Sequence, residues 1–180
     1  MLQITIPAVE QWDEDKQEFV STKEQTLSLE HSLVSLSKWE SKWCKVFLTK
    51  QEKTFEETVD YIKFMTITQN VDPEVYNYLT NGNIDEVNQY IEAPMTATYF
   101  SEDKTGKTSR EQITAELIYY RMISLNIPFE CQKWHLNRLL TLIKVCNTKN
   151  QPPKKRSMKE ITSRNAALNA ARRKQLNTRG

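Results

Sequence analysis

The stretch ECQKWHLNRLLTLIKVCN, residues 130–147, constrains this chain more than any other. Leu136, Leu139, Leu140 and Ile143 recur at i, i+3, i+4 and i+7, a wide apolar face that a helix cannot leave in water. The rest of the chain must therefore supply a body that covers it. Pro128 sets off the start of this segment, because proline removes a backbone donor and disfavours helix at Ile127. The spacing predicts a helix over 129–147.

Other helices follow from their start signals. Thr54 with Glu57, Asn83 with Glu86, Thr108 with Glu111 and Ser157 with Glu160 each set a short polar side chain three residues before an acidic one. Such a pair can satisfy the orphan amides of a first helical turn. Asp72-Pro73 gives a further start, since proline is tolerated at the first helical position. Leu33, Leu36, Trp39 and Trp43 share helical spacing from Ser32 onward. Helices are thus expected over 32–46, 54–67, 73–80, 83–92, 109–125, 129–147 and 158–176.

Before Ser32 the period changes to two. LQITIPAV alternates Leu2, Ile4 and Ile6 with Gln3 and Thr5, as a half-buried strand does. EQWDEDKQ reads as a polar turn, EFVST as a second strand and QTLSLEH as a third. So small a sheet is marginal alone and must pack on helices. The expected architecture is α+β and mostly α. It comprises an antiparallel sheet of two or three strands in 1–31, and a helical body in 32–147 that forms one domain with it. A Pro-rich basic linker over 148–156 and a basic helical tail over 157–180 complete it. NTKNQPPKK, with two prolines in polar sequence, reads as a stiff, extended connection.

TGKTS, residues 105–109, invites comparison with a phosphate-binding loop. Such a loop needs a glycine five residues before its Gly-Lys-Thr, so that successive amides turn inward around the phosphates. Ser101 occupies that place, and Glu102 and Asp103 sit where like charge would repel phosphates. The chain has three glycines in all, and no buried strand ends in an Asp to hold magnesium. EDKTGK is better read as an exposed turn in which Thr108 caps the next helix.

Other chemistry meets similar objections. On the expected helix, Cys131 and His135 fall at i and i+4, a spacing that can hold a metal. A structural zinc needs four ligands, and Cys44, Cys146 and His31 are the remaining candidates, none paired at short spacing. Half-buried structural residues are the expectation, with no metal and no cofactor. Nucleophilic catalysis needs a Cys or Ser beside a His oriented by a carboxylate, and no such motif is present. No enzymatic activity is expected. Trp39, Trp43 and Trp134 lie beside Leu and Ile at helical spacing, where core packing is the ordinary role and base stacking the alternative. Three distant cysteines suit reduced thiols in a cytosol. The opening MLQITIPAVEQWDED has neither a basic leader nor a long apolar run, so no signal peptide is expected, and no segment reaches the ~20 apolar residues of a membrane span.

Charge gives the first indication of a partner. Residues 152–180 hold nine basic residues against Glu160 alone, a net of +8, while the first 151 hold 16 basic and 22 acidic, a net of −6. The tail pattern MKEITSRNAALNAARRKQ has strong helix formers but a thin apolar stripe of Ile161, Leu168 and Ala171, too little burial to fix it on a body. A solvated tail, a nucleic-acid arm and a segment that orders on an acidic protein partner all fit. The absence of interleaved aromatics favours protein over nucleic acid. Candidate partner-binding residues are Lys154, Lys155, Arg156, Arg164, Arg172, Arg173 and Lys174.

Three stretches carry a resemblance along nearly the whole chain: LSLEHSLVSLSKWESKWCKVFL, ITAELIYYRMISLNIPFECQKWHLNRLLTLIKVCN and SRNAALNAARRKQLNTRG. They resemble a family encoded among the tail morphogenesis genes of tailed bacteriophages and prophages, whose members are described as tail assembly chaperones. The resemblance implies a non-enzymatic role in virion morphogenesis in the host cytoplasm, with tape-measure and tail tube proteins as partners. Such chaperones are often made also in a longer, frameshifted form. A structural tail or neck component of the virion, or a nucleic-acid-binding protein acting through its basic arm, are the alternatives.

Overall fold

The structure is a computed structural model that describes residues 1–13, 18–49, 51–100, 112–151 and 158–177, with backbone alone for 11–13, 18–22 and 160. It is α+β and mostly α, with a small N-terminal antiparallel sheet packed on helices. By contacts the chain divides into Met1–Thr148 and Lys149–Gly180.

The N-terminal segment forms two antiparallel ladders of two strands each, and the one packed on the helices is the small sheet expected. β1 (Leu2–Ile6) pairs antiparallel with β4 (Gln25–Leu29), and β2 (Val9–Asp13) pairs with β3 (Glu18–Thr22). Ile6 faces Gln25 and Val9 faces Thr22, so one register runs through both ladders and breaks only around Pro7. Proline has no N–H to give to a ladder, which accounts for the break. Gln11 and Trp12, expected within a polar turn, pair instead with Val20 and Phe19. Cross-strand partners override a polar local composition. Ile4, Ile6, Leu27 and Leu29 alternate onto one face and are buried. Met65 and Ile67 then add to the other edge of β4: Glu30 donates to the Met65 carbonyl and Ile67 to the Ser28 carbonyl, at 2.9 and 2.8 Å.

α1 (Leu33–Trp43) starts at a reciprocal Ser32–Ser35 cap and ends at Cys44, whose φ of 51° is left-handed. α2 (Phe55–Met65) starts at the expected Thr54–Glu57 capping box. Pro73–Tyr78 is a 3-10 helix capped by Asp72, in place of an α-helix over 73–80. α3 (Asn81–Glu92) begins earlier than expected. Its cap is Thr80, and Asn83 serves as the third-residue partner rather than as the cap paired with Glu86.

α4 (Ala115–Ser124) starts later than the expected 109, at Thr114, whose hydroxyl accepts from the Leu117 amide. Thr108, Glu111 and the Gly-Lys-Thr lie outside the described residues. α4 ends at Leu125 and Asn126, with Asn126 left-handed at φ 53° and the Ile127 amide returning to the Met122 carbonyl. The expected helix over 129–147 is two elements. Phe129–Lys133 forms a 3-10 turn closed by the Trp134 amide on the Cys131 carbonyl, and α5 is Leu136–Asn150. His135 between them bridges to Ser32, and Leu136 donates to the His31 carbonyl at 2.8 Å. This tertiary strand-like contact ends the first helical turn.

Leu136, Leu139 and Ile143 of α5 join Leu33, Leu36 and Trp39 of α1 in the core, with Ile62 and Met65 of α2 and Ile118 and Met122 of α4. Leu140 is only partly buried, so the covered face of α5 is narrower than its spacing implies. α6 (Met158–Leu176) matches the expected bounds. The start of the helix at Ser157 and the prolines of the linker lie outside the described residues. No helix is long and apolar enough to cross a membrane among the described residues.

Candidate protein interface

His31, His135 and Cys131 are buried in the body, whereas Cys44 is exposed and Cys146 half-buried. His31 is 1% exposed, with Nδ1 2.6 Å from the Tyr61 hydroxyl. Burial, with His135 adding to it, pushes His31 down to about 3. His135 places Nε2 2.9 Å from the Tyr90 carbonyl, and burial lowers its pKa too. Both rings are therefore neutral structural groups near pH 7. Burial pushes the hydroxyls of Tyr61 and Tyr90 up, and it also raises the Cys131 thiol. Because the helix breaks at Trp134, Cys131 and His135 do not share one helix face as the sequence spacing suggested. Among the described residues, no group of three or more His, Cys, Asp or Glu could hold a metal ion.

The tryptophans divide. Trp39 is a core residue, 1% exposed, and its Nε1 donates to the Glu57 carbonyl at 2.8 Å. Trp43 is half-buried, with Lys42 and Lys45 over its ring and Nε1 without a hydrogen-bond partner among the described residues. Trp134 lies under the Arg138 guanidinium at 4.3 Å. The same two lysines form ion pairs, Lys42 with Asp60 and Lys45 with Glu57. The Lys45 hydrogen bond and the Thr54 amide hold the Glu57 carboxyl below its usual range.

Buried Glu40 is a second anchor, accepting from the Phe47 amide at 2.9 Å and the Ala115 amide at 2.7 Å. It joins the loop after α1 to the first turn of α4.

Lys154, Lys155 and Arg156 lie outside the described residues, while Arg164, Arg172, Arg173 and Lys174 stand on α6. Every described side chain of α6 is exposed. At about 100° per residue, the four cations are spread around the axis rather than gathered on one face. Met158, Ile161, Leu168 and Leu176 fall within roughly 80° of arc, a strip that Asn165 and Arg172 interrupt. Such a helix has almost nothing of its own to bury.

The body also exposes apolar residues that the sequence reading did not single out, among them Phe55, Ile67, Tyr120, Ile123 and Phe129. The available signal was their place off the buried stripe. Tyr120 and Ile123 are three residues apart and off the face formed by Ile118 and Met122.

No family model, curated protein or solved structure matches this chain.

Proposed function

We propose that this protein is a non-enzymatic tail assembly chaperone that binds tape-measure and tail tube proteins during virion morphogenesis in the host cytoplasm. The resemblance of the three stretches names the class, and the geometry of α6 is the observation that carries it. A helix of 19 residues with all its described side chains exposed gains little from its own thin strip. Helices without tertiary burial are marginal in water, so a partner is what would hold it. The arm is cationic, so the partner surface is acidic, and mutual attraction speeds encounter before contacts form. Exposed Phe55, Ile67, Tyr120, Ile123 and Phe129 add apolar area suited to covering amphipathic segments of a client.

Co-expression tests this reading. The tagged protein should copurify with tape-measure or tube protein, and particles should lack it by mass spectrometry. Failure to capture either client removes the chaperone reading, and stoichiometric presence in particles makes the protein a virion component instead.

A further inference from the structure

One groove on the body carries apolar and cationic groups together. Val34 and Lys38 of α1, Phe64 at the end of α2, Ile67 just after it and Lys133 line a volume of about 360 Å³. Ile67 is 53% exposed, yet its amide is fixed to the Ser28 carbonyl at 2.8 Å. The side chain is therefore held outward by the pairing of its backbone, at the cost of apolar exposure.

The charges point the same way. Lys42, Lys45 and Lys63 each pair with Asp60 or Glu57, whereas Lys38 and Lys133 make no ion pair with another described residue. Glu30, the one carboxylate among the described residues lining the groove, accepts from the Tyr90 hydroxyl at 2.8 Å and pairs with the Met1 amino group. Two unmatched cations thus flank an apolar floor on a body whose net charge is negative. A basic or neutral partner would leave both lysines unmatched, whereas carboxylates beside an apolar stripe would satisfy both features.

We propose that this groove docks an acidic amphipathic helix of a protein partner, with apolar side chains on Val34, Phe64 and Ile67 and carboxylates on Lys38 and Lys133. The inference rests on the client-binding reading above and assigns the surface on the body that would perform it.

The test uses the full chain and a synthetic helical peptide of ~18 residues, about five turns, with leucines at i, i+3, i+4 and i+7 and glutamates between them. A twin carries lysine in place of every glutamate. Since the basic arm also attracts acidic peptides, the readout is local: methyl NMR signals of Val34 and Ile67. The acidic peptide should move both saturably. Lys38→Glu with Lys133→Glu, both at exposed positions, should weaken that binding about five- to thirty-fold and turn the preference toward the lysine twin. Unmoved methyl signals, or equal binding after the double reversal, overturns the groove. If client capture persists undiminished in the double variant, the groove fails while the chaperone reading stands. If the wild type captures no client yet the peptide binds as described, that reading fails while the groove stands.

Discussion

The imidazole rings of His31 and His135 meet edge to face in the interior, their centroids 5.1 Å apart. The contact joins the end of the N-terminal hairpin to the start of α5, since the same two residues carry the backbone links Ser32–His135 and Leu136–His31. Tyr61, Tyr90 and Phe47 surround the pair. The site is a seam of the fold that requires neutral imidazole.

Acid should therefore open the body. His31 is held down to about 3 in the folded chain, against an ordinary value near 6.5 when unfolded. Its contribution is intact above the unfolded value. As pH falls through that value, the unfolded chain takes up a proton that the folded chain refuses. Stability then declines by up to about 1.4 kcal/mol per pH unit for each such histidine, until the folded group itself titrates. Urea melts between pH 7.5 and 4 should show this slope, and His31→Phe should flatten it. A variant that retains the wild-type slope would refute the assignment.

Glu40 should rank among the costlier single substitutions. Its two oxygens serve two buried amides, Phe47 and Ala115, from segments far apart in sequence. Glu40→Ala strands both donors, and an unsatisfied buried amide costs about 1–3 kcal/mol. Glu40→Gln keeps one acceptor and should lose roughly half as much. Denaturant unfolding at pH 7 measures both, and equal losses for Ala and Gln would show that the oxygen Gln retains satisfies neither amide.

Local signals in the sequence carried as far as local physics reaches. The alternation of Ile4, Ile6, Leu27 and Leu29, the Thr54–Glu57 box and the buried Leu136, Leu139 and Ile143 were all legible, because period and capping are properties of neighbours. The break at Trp134–His135 was not, because a pairing with Ser32, about a hundred positions away, imposes it. Strand β2 was hidden for the same reason: only Val20 and Phe19 opposite make Gln11 and Trp12 strand residues. The arm residues Arg164, Arg172, Arg173 and Lys174 were visible as composition. The groove of Lys38, Ile67 and Lys133 was not, since three distant segments meet to form it.

Asn137 should tie α5 to the end of α3. Its Nδ2 donates to the Ile91 and Ala93 carbonyls, each at 2.8 Å, and so satisfies groups that the end of a helix leaves open. Asn137→Ala removes both bonds, with an expected loss of about 1–3 kcal/mol and faster amide exchange at the end of α3. Asn137→Asp keeps the size but cannot donate, so it should be at least as costly. A stable Asp variant would mean that water replaces the amide without penalty.

The arm should be separable from stability and required for binding. Arg164, Arg172, Arg173 and Lys174 stand on a helix whose described side chains are all exposed. Reversing the four to Glu should change the unfolding free energy of the body by no more than about 0.5 kcal/mol, as exposed substitutions do. Capture of the tape-measure or tube protein should fall sharply, and wild-type capture should weaken as salt screens the attraction. DNA binding at low salt is the control, because a nucleic-acid arm would lose steeply salt-dependent binding on the same reversal. If the reversed arm captures clients as the wild type does, the arm is solvated and the exposed apolar surfaces of the body act alone.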